Sequence, residues 1–371
     1  MLNYVDNGKI SNRQTYRLFV FDLMGIATLL IPPYLSKLCG VDGVFAALGG
    51  MILGFIYLFY LGWVMKNMGM DINTYLEHRV RPLIRSIIWI FVLVHSILTA
   101  GFCGYVFTKV MQYSLVPEIS FPIIWLVIMI GAGYAVSGGI ECRARVYEVL
   151  FLFVLVPYVI MVLASVKSLE LEYIEGFFES SRENFLKGMY LVFLFFSPLF
   201  FSLFLVGENE KSYGKKAIKT ISASVLSAGV ILLGSYVLLL GNFGQNSLAT
   251  MQYPVITLMS TIQFKGNFLK RMDAFMVAVW FFTLYALLNL HVHYGTSMMR
   301  VIFSKGKRRK WQVIVLAVLV YAVGYSMYQN KDWVWIFINY YSYLAVPIMV
   351  IVPGILLLCK KKGGIKSETK G

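Results

Sequence analysis

Hydrophobic residues run in ten long blocks along this chain, and polar residues gather in the short stretches between them. The blocks cover roughly 14–36, 43–65, 84–112, 119–137, 146–167, 187–206, 217–241, 272–299, 311–328 and 333–358. Each is near the ~20 residues an α-helix needs to cross the hydrocarbon layer of a bilayer. The pattern predicts an all-α polytopic membrane protein with ten transmembrane helices. Composition agrees: the chain is 59% hydrophobic and 14% charged, with mean hydropathy +0.73. Soluble domains carry about 25% charged residues. The opening is polar, with Asn3, Asp6, Asn7 and Lys9, and lacks a charged-then-apolar segment ending in small residues. The first block is therefore expected to be a retained span and not a signal peptide. No soluble domain is expected, and 1–371 reads as a single integral membrane domain.

Net charge is +15. With the N-terminus inside, 24 of the 33 lysines and arginines fall on the inner side and 9 on the outer. The inner groups run from Lys9, Arg13 and Arg17, through Arg143 and Arg145, to Lys305–Lys310 and the tail Lys360-Lys361-Lys362. This bias predicts that both termini are cytoplasmic, with 359–371 as a short basic tail. The basic loops then meet anionic lipid head groups, and nucleic acid is not needed to explain them. The four cysteines, Cys39, Cys103, Cys142 and Cys359, have no metal spacing and read as packing residues.

Candidate chemistry sits first in the opening span. Asp22 lies in an apolar stretch that also contains Gly25 and Pro32-Pro33. A carboxylate and a helix break are both costly in lipid, and together they mark a binding site or ion path. A break over Gly25, Ala27 and Thr28 would free backbone groups to bind a ligand. The alternative is a proline kink near the outer surface, with Gly25 there for close packing. Asp22 is either a functional carboxylate or charge relay with His95 as neighbour, or a residue near the inner surface paired with a basic loop side chain. The sixth span carries Ser197-Pro198 in its middle. Pro198 removes a backbone hydrogen bond there, which leaves either the opposite wall of a site or a kink repaired by Ser197 or Ser202. Spans one and six are equivalent if ten spans form two repeats of five, 14–167 and 187–358. Paired interruptions of this kind point to a midplane site.

Other features are structural in this reading. Ala46, Gly50 and Gly54 form a small-residue face on span two for close helix contact. His291 and His293 fall on different faces of span eight, so a metal site is not expected. Glu172, Glu175, Glu179 and Glu183 recur at helical spacing in the outer segment 168–186, as on an interfacial helix with Ile174 and Phe178 on its other face. A partner contact is the sharper alternative. No phosphate loop, zinc-protease motif or nucleophile elbow occurs, so neither an enzyme nor a cofactor is expected.

The segment Ile10-Ser11-Asn12-Arg13-Gln14, followed by a span containing Gly25-Ile26 and ending at Pro32, resembles the opening of the spore germination permease (GerAB) family. Met272-Asp273-Ala274-Phe275, with Trp280 behind it, also resembles that family. The family belongs to the amino acid–polyamine–organocation superfamily. The resemblance implies a LeuT-like fold of two inverted five-helix repeats, with discontinuous helices 1 and 6 around the substrate. Thr99 of span three and Thr283 of span eight would complete the site in that arrangement. The implied function is the membrane-embedded B-type subunit of a nutrient germinant receptor in the inner membrane of a bacterial spore. It would bind a small nutrient, such as an amino acid, and act with the other receptor subunits. The competing expectations are a secondary amino-acid transporter coupled to protons or sodium, and a channel-like or scaffolding subunit.

Overall fold

The chain enters its first helix through a reciprocal cap. Ser11 Oγ accepts from Gln14 N (3.3 Å), and Gln14 Oε1 accepts from Ser11 N (2.9 Å). This capping box satisfies two of the amides that open a helix. It sits in the Ser11–Gln14 stretch that carries the family resemblance. Arg13 and Arg17 then both pair with Glu148, pinning the start of α1 (Asn12–Cys39) to the fifth apolar block.

A computed structural model describes residues 9–70, 72–205, 215–261, 272–304 and 310–358. The tail 359–371 with Cys359, and the loop residues Lys211, Lys265, Lys270 and Arg271, lie outside the described residues. The elements after α1 are α2 (Gly43–Met68), α3 (Ile72–Arg79), α4 (Pro82–Ser114), α5 (Phe121–Ser137) and α6 (Gly139–Ser165). Then come α7 (Arg182–Leu194), α8 (Ser202–Leu205), α9 (Lys215–Thr250), α10 (Pro254–Thr261) and α11 (Met272–Ser304). The chain closes with α12 (Lys310–Gln329), α13 (Asp332–Asn339) and α14 (Val346–Leu358). Among the described residues, each of the ten apolar blocks is mostly helical. By length and composition, seven helical stretches among the described residues are fit to cross a membrane. The first of these, Asn12–Met68, holds two of the predicted spans. The chain turns between them through the 3-10 segment Gly40–Asp42, where Gly40 has φ 53°.

Span one lies at the centre. Every residue from Leu18 to Leu29 is buried, as expected for a helix that is apolar all round. It packs chiefly on α9 and α11, and α11 in turn on α4. The small face of α2 meets α7: a Cβ on Gly50 would stand 2.5 Å from Val192 Cβ, and one on Gly54 would stand 2.7 Å from the Phe196 ring. Peripheral α5 instead turns Leu126, Val127 and Ile130 outward.

Two expectations are corrected here. α1 is continuous and does not break at Gly25 to Thr28. Gly25 serves a close approach: a Cβ there would stand 2.7 Å from the backbone carbon of Thr283. Thr28 Oγ1 donates to Met24 O (3.1 Å) within the same helix. The glycine therefore admits a neighbouring backbone while α1 keeps its helical course. The acidic segment 168–186, for its part, is not one amphipathic helix. It holds short 3-10 turns and then an extended strap, because Gly176 (φ 85°) and Phe178 (φ 69°) both leave the helical region. Asp42 fixes this strap by accepting from Phe178 N and from Ser180 N (2.7 Å).

Span six does break. Pro198 has no N–H to offer the carbonyl of Leu194, and α7 gives way to a 3-10 segment over Ser197–Phe201. Span ten is irregular at the facing point, with a π-helical turn over Tyr340–Ala345 between α13 and α14.

Candidate functional site

The two irregular segments meet. Tyr341, on the π turn, donates its hydroxyl to Leu194 O (3.4 Å), the carbonyl that Pro198 leaves without a helical partner. Ser197 Oγ shares a hydrogen bond with the same phenol. On the next turn, Tyr190 donates to Ser342 O. Buried backbone groups need partners; the two phenols supply them across the gap between spans six and ten, and Ser197 holds the Tyr341 hydroxyl.

Beside this junction lies a cavity of about 590 Å³, within the range usual for small-molecule sites. α1 contributes Asp22, Leu23, Ile26, Ala27 and Leu30, which recur at helical spacing along one stripe. α4 contributes Thr99, Phe102 and Val106, and the broken span contributes Leu194, Phe195 and Pro198. Leu287, Phe337, Ile338 and Tyr341 close the remaining walls. Tyr34, Lys37, Gln252 and Trp335 stand toward the other end of α1. Asp22 and Lys37 are fifteen residues apart on α1, about 22 Å at 1.5 Å per residue. The chamber is thus long, aromatic and apolar along its walls, and charged at its two ends.

Asp22 forms the floor and pairs with Arg143; both are nearly inaccessible, at 3% and 5% exposure. Arg143 also donates to Ala286 O (3.3 Å), and its guanidinium stands 5.4 Å from the Tyr147 ring centre. Asn289 Nδ2 donates to Tyr147 Oη (3.3 Å). The partner of Asp22 is therefore a basic residue from the start of α6 and not His95. His95 instead lies 3.5 Å from both Thr99 Oγ1 and Tyr340 Oη. Its ring is 5.5 Å from that of His291, whose two nitrogens have no hydrogen-bond partner among the described residues.

Four of the eight sequence candidates line the cavity: Asp22, Ala27, Thr99 and Pro198. The other four stand behind the wall. Gly25 faces the backbone of α11. Thr28 accepts from Trp280 Nε1 (2.9 Å), and Thr283 donates to Trp280 O (3.0 Å). Ser197 is bound to Tyr341. Arg143, Phe102, Phe337 and Tyr341 were not foreseen as site residues. The polar aromatic run Tyr340-Tyr341-Ser342-Tyr343 inside an apolar block is the signal that marks the last of them.

The profile of the family described as spore germination protein (spore permease) matches residues 9–333. This chain belongs to that family. Spore germination protein B2 of Bacillus subtilis (strain 168) is 22% identical over 275 residues, covering 73% of this chain and 74% of the relative. Spore germination protein A2 of the same organism is 18% identical over 348 residues, covering 92% and 93%. The fold is also that of a solved Na+-coupled sialic acid symporter, described in a substrate-bound outward-open state. That likeness has TM-score 0.63 at 12% identity and covers 95% of this chain and 78% of the symporter chain. The chain is thus a multi-pass membrane protein with a transporter fold, helical and without strands among its described residues.

Proposed function

We propose that this spore permease is the membrane-embedded B-type subunit of a nutrient germinant receptor in the inner membrane of the spore. It binds a small nutrient, of the amino-acid class, in the cavity between spans one, three, six and ten, and triggers germination with its partner subunits. The cavity carries this reading: a chamber between the spans of a germination-family chain, with Thr99 and the Asp22–Arg143 pair as polar groups among apolar walls. Such a balance of many apolar walls and few placed polar groups suits a small amphipathic ligand. The arrangement in the membrane is part of the proposal. Ten spans form two inverted repeats, 14–167 and 187–358, within one domain, and both termini and the basic tail 359–371 are cytoplasmic.

A thermal-unfolding screen of the purified protein against amino acids, sugars and nucleosides tests this reading. A ligand that binds the folded state raises its melting temperature. The expected result is stabilisation by an amino acid, lost in Thr99→Leu and Ala27→Leu, which put bulk into the cavity. No stabilisation by any member of the panel would leave a scaffolding or channel-like subunit and end the proposal.

A second reading is a secondary amino-acid transporter coupled to protons or sodium. The buried titratable groups favour it: His95 and His291, with rings 5.5 Å apart, and the Asp22–Arg143 pair. Ligand uptake by proteoliposomes under an ion gradient distinguishes the two: a receptor subunit shows binding without accumulation.

A further inference from the structure

A second hollow lies on the outside of the bundle, where α5 and α12 part. It is a groove of about 900 Å³ and shares no lining residue with the ligand cavity. Its walls are aliphatic and face outward: Ile130 and Ile314 are 65% and 63% exposed. Gly133 holds it open. A Cβ on Gly133 would meet only Val313 Cγ1, at 3.7 Å, whereas one on Gly104 of the neighbouring α4 would run into the Trp125 ring at 1.9 Å. Most glycines here admit a neighbouring helix, and this one leaves space.

The two ends of the groove differ. One end is apolar, with Leu126 and Tyr321, and the other carries Lys310. Lys310 and Tyr321 are eleven residues apart on α12, about 17 Å at 1.5 Å per residue. That is close to half of the ~30 Å hydrocarbon thickness. The groove thus runs the depth of one leaflet and ends at a cation. In the sequence Lys310 closes the run Lys305, Lys307, Arg308, Arg309, Lys310, the most basic segment assigned to the inner side. A transmembrane helix of another subunit would need an apolar track across both leaflets. An acyl chain needs one leaflet, and its phosphate needs a cation at the boundary.

We propose that this groove is a binding site for an anionic phospholipid of the inner leaflet. The acyl chain lies between α5 and α12, and the phosphate pairs with Lys310.

The test is thermal unfolding of the purified full-length protein in detergent, with phosphatidylglycerol or phosphatidylcholine added. Phosphatidylglycerol is expected to raise the melting temperature by several degrees more than phosphatidylcholine. Gly133→Leu fills open space, so it should keep the lipid-free melting temperature and lose the phosphatidylglycerol increment. Lys310→Gln should retain a lipid response but make the two lipids equal. Equal stabilisation of the native chain by both lipids would overturn the proposal, as would an unchanged preference in both variants. Native mass spectrometry gives an independent count: one retained phosphatidylglycerol on the native chain and none on Gly133→Leu is expected. Efficient cross-linking of a cysteine at position 130 to another polypeptide in native membranes would instead assign the groove to a partner helix.

Discussion

Spans one and six carry the same sequence signal and respond to it in opposite ways. Each has proline inside an apolar block: Pro32-Pro33 in the first and Pro198 in the sixth. The first remains helical from Asn12 to Cys39, whereas the sixth turns to 3-10 geometry at Ser197. The surroundings account for the difference. Span one is held on the face away from the cavity, with Gly25 against the α11 backbone and Thr28 bound by Trp280. Span six has a phenol beside it, so the carbonyl freed by Pro198 gains a partner outside its own helix. A proline removes a donor in either place. Whether the helix yields depends on what the neighbouring spans offer.

The comparison can be broken from either side, and the largest effect should come from the floor of span one. Arg143→Met leaves the Asp22 carboxylate buried without a partner, which costs about 3–5 kcal/mol. Unfolding in detergent should show this loss, and adding Asp22→Asn should recover most of it. A single variant as stable as the native protein would mean that the pair does not tie α1 to α6. Gly25→Leu comes next. It drives a side chain into the Thr283 backbone, an overpacking that costs ~1–3 kcal/mol. The loss should appear in apparent stability as well as in ligand binding; a fully stable variant would show that α1 and α11 stand apart. Tyr341→Phe, on the span-six side, strips Leu194 O and Ser197 Oγ of their partner. Leaving such groups unsatisfied costs about 1–3 kcal/mol, and the change should also weaken binding of whatever ligand the screen identifies. Unchanged stability and affinity together would show that the break needs no outside support.

The smallest effect concerns the acidic strap. Burial pushes the Asp42 carboxyl up, but hydrogen bonds from Ser180 and Phe178 outweigh this and hold it below its ordinary value. A carboxylate lowered in the folded state stabilises at pH above its unfolded value, about 3.9. That contribution is lost as pH falls through the lower folded value. The melting temperature should therefore drop on acidification below about pH 4, and Asp42→Asn should flatten the drop. Identical acid profiles in the two proteins would remove Asp42 from the account.

The helical blocks were legible because each is a long uninterrupted apolar run, and hydropathy measures that directly. The site was legible only in part. Asp22, Ala27, Thr99 and Pro198 reach the cavity, but the same reasoning placed Gly25 there, and Gly25 faces α11. A glycine serves a break or a close approach equally well, and only the third-dimension neighbour decides. Arg143 was counted among the basic residues of an inner loop. It lies one turn inside α6, which begins at Gly139, and is turned inward onto Asp22. Tyr341 carries no periodic signal, because a π turn has no hydrophobic period of its own.

That π turn also fixes a register. One extra residue is accommodated between Tyr340 and Ala345, and each residue of a helix rotates the chain by about 100°. Deleting a single residue there would let span ten close into an ordinary helix. The wide turn absorbs that residue, so Val346 to Leu358 would keep their present phase. Met349 O, which accepts from Tyr57 (3.2 Å), and Leu356 O, which accepts from Tyr75 (3.3 Å), would stay near their donors. The same deletion within 346–348 would instead turn both carbonyls by about 100° and away from those donors. Span ten should therefore tolerate the loss of one residue within 340–345 and not just beyond it.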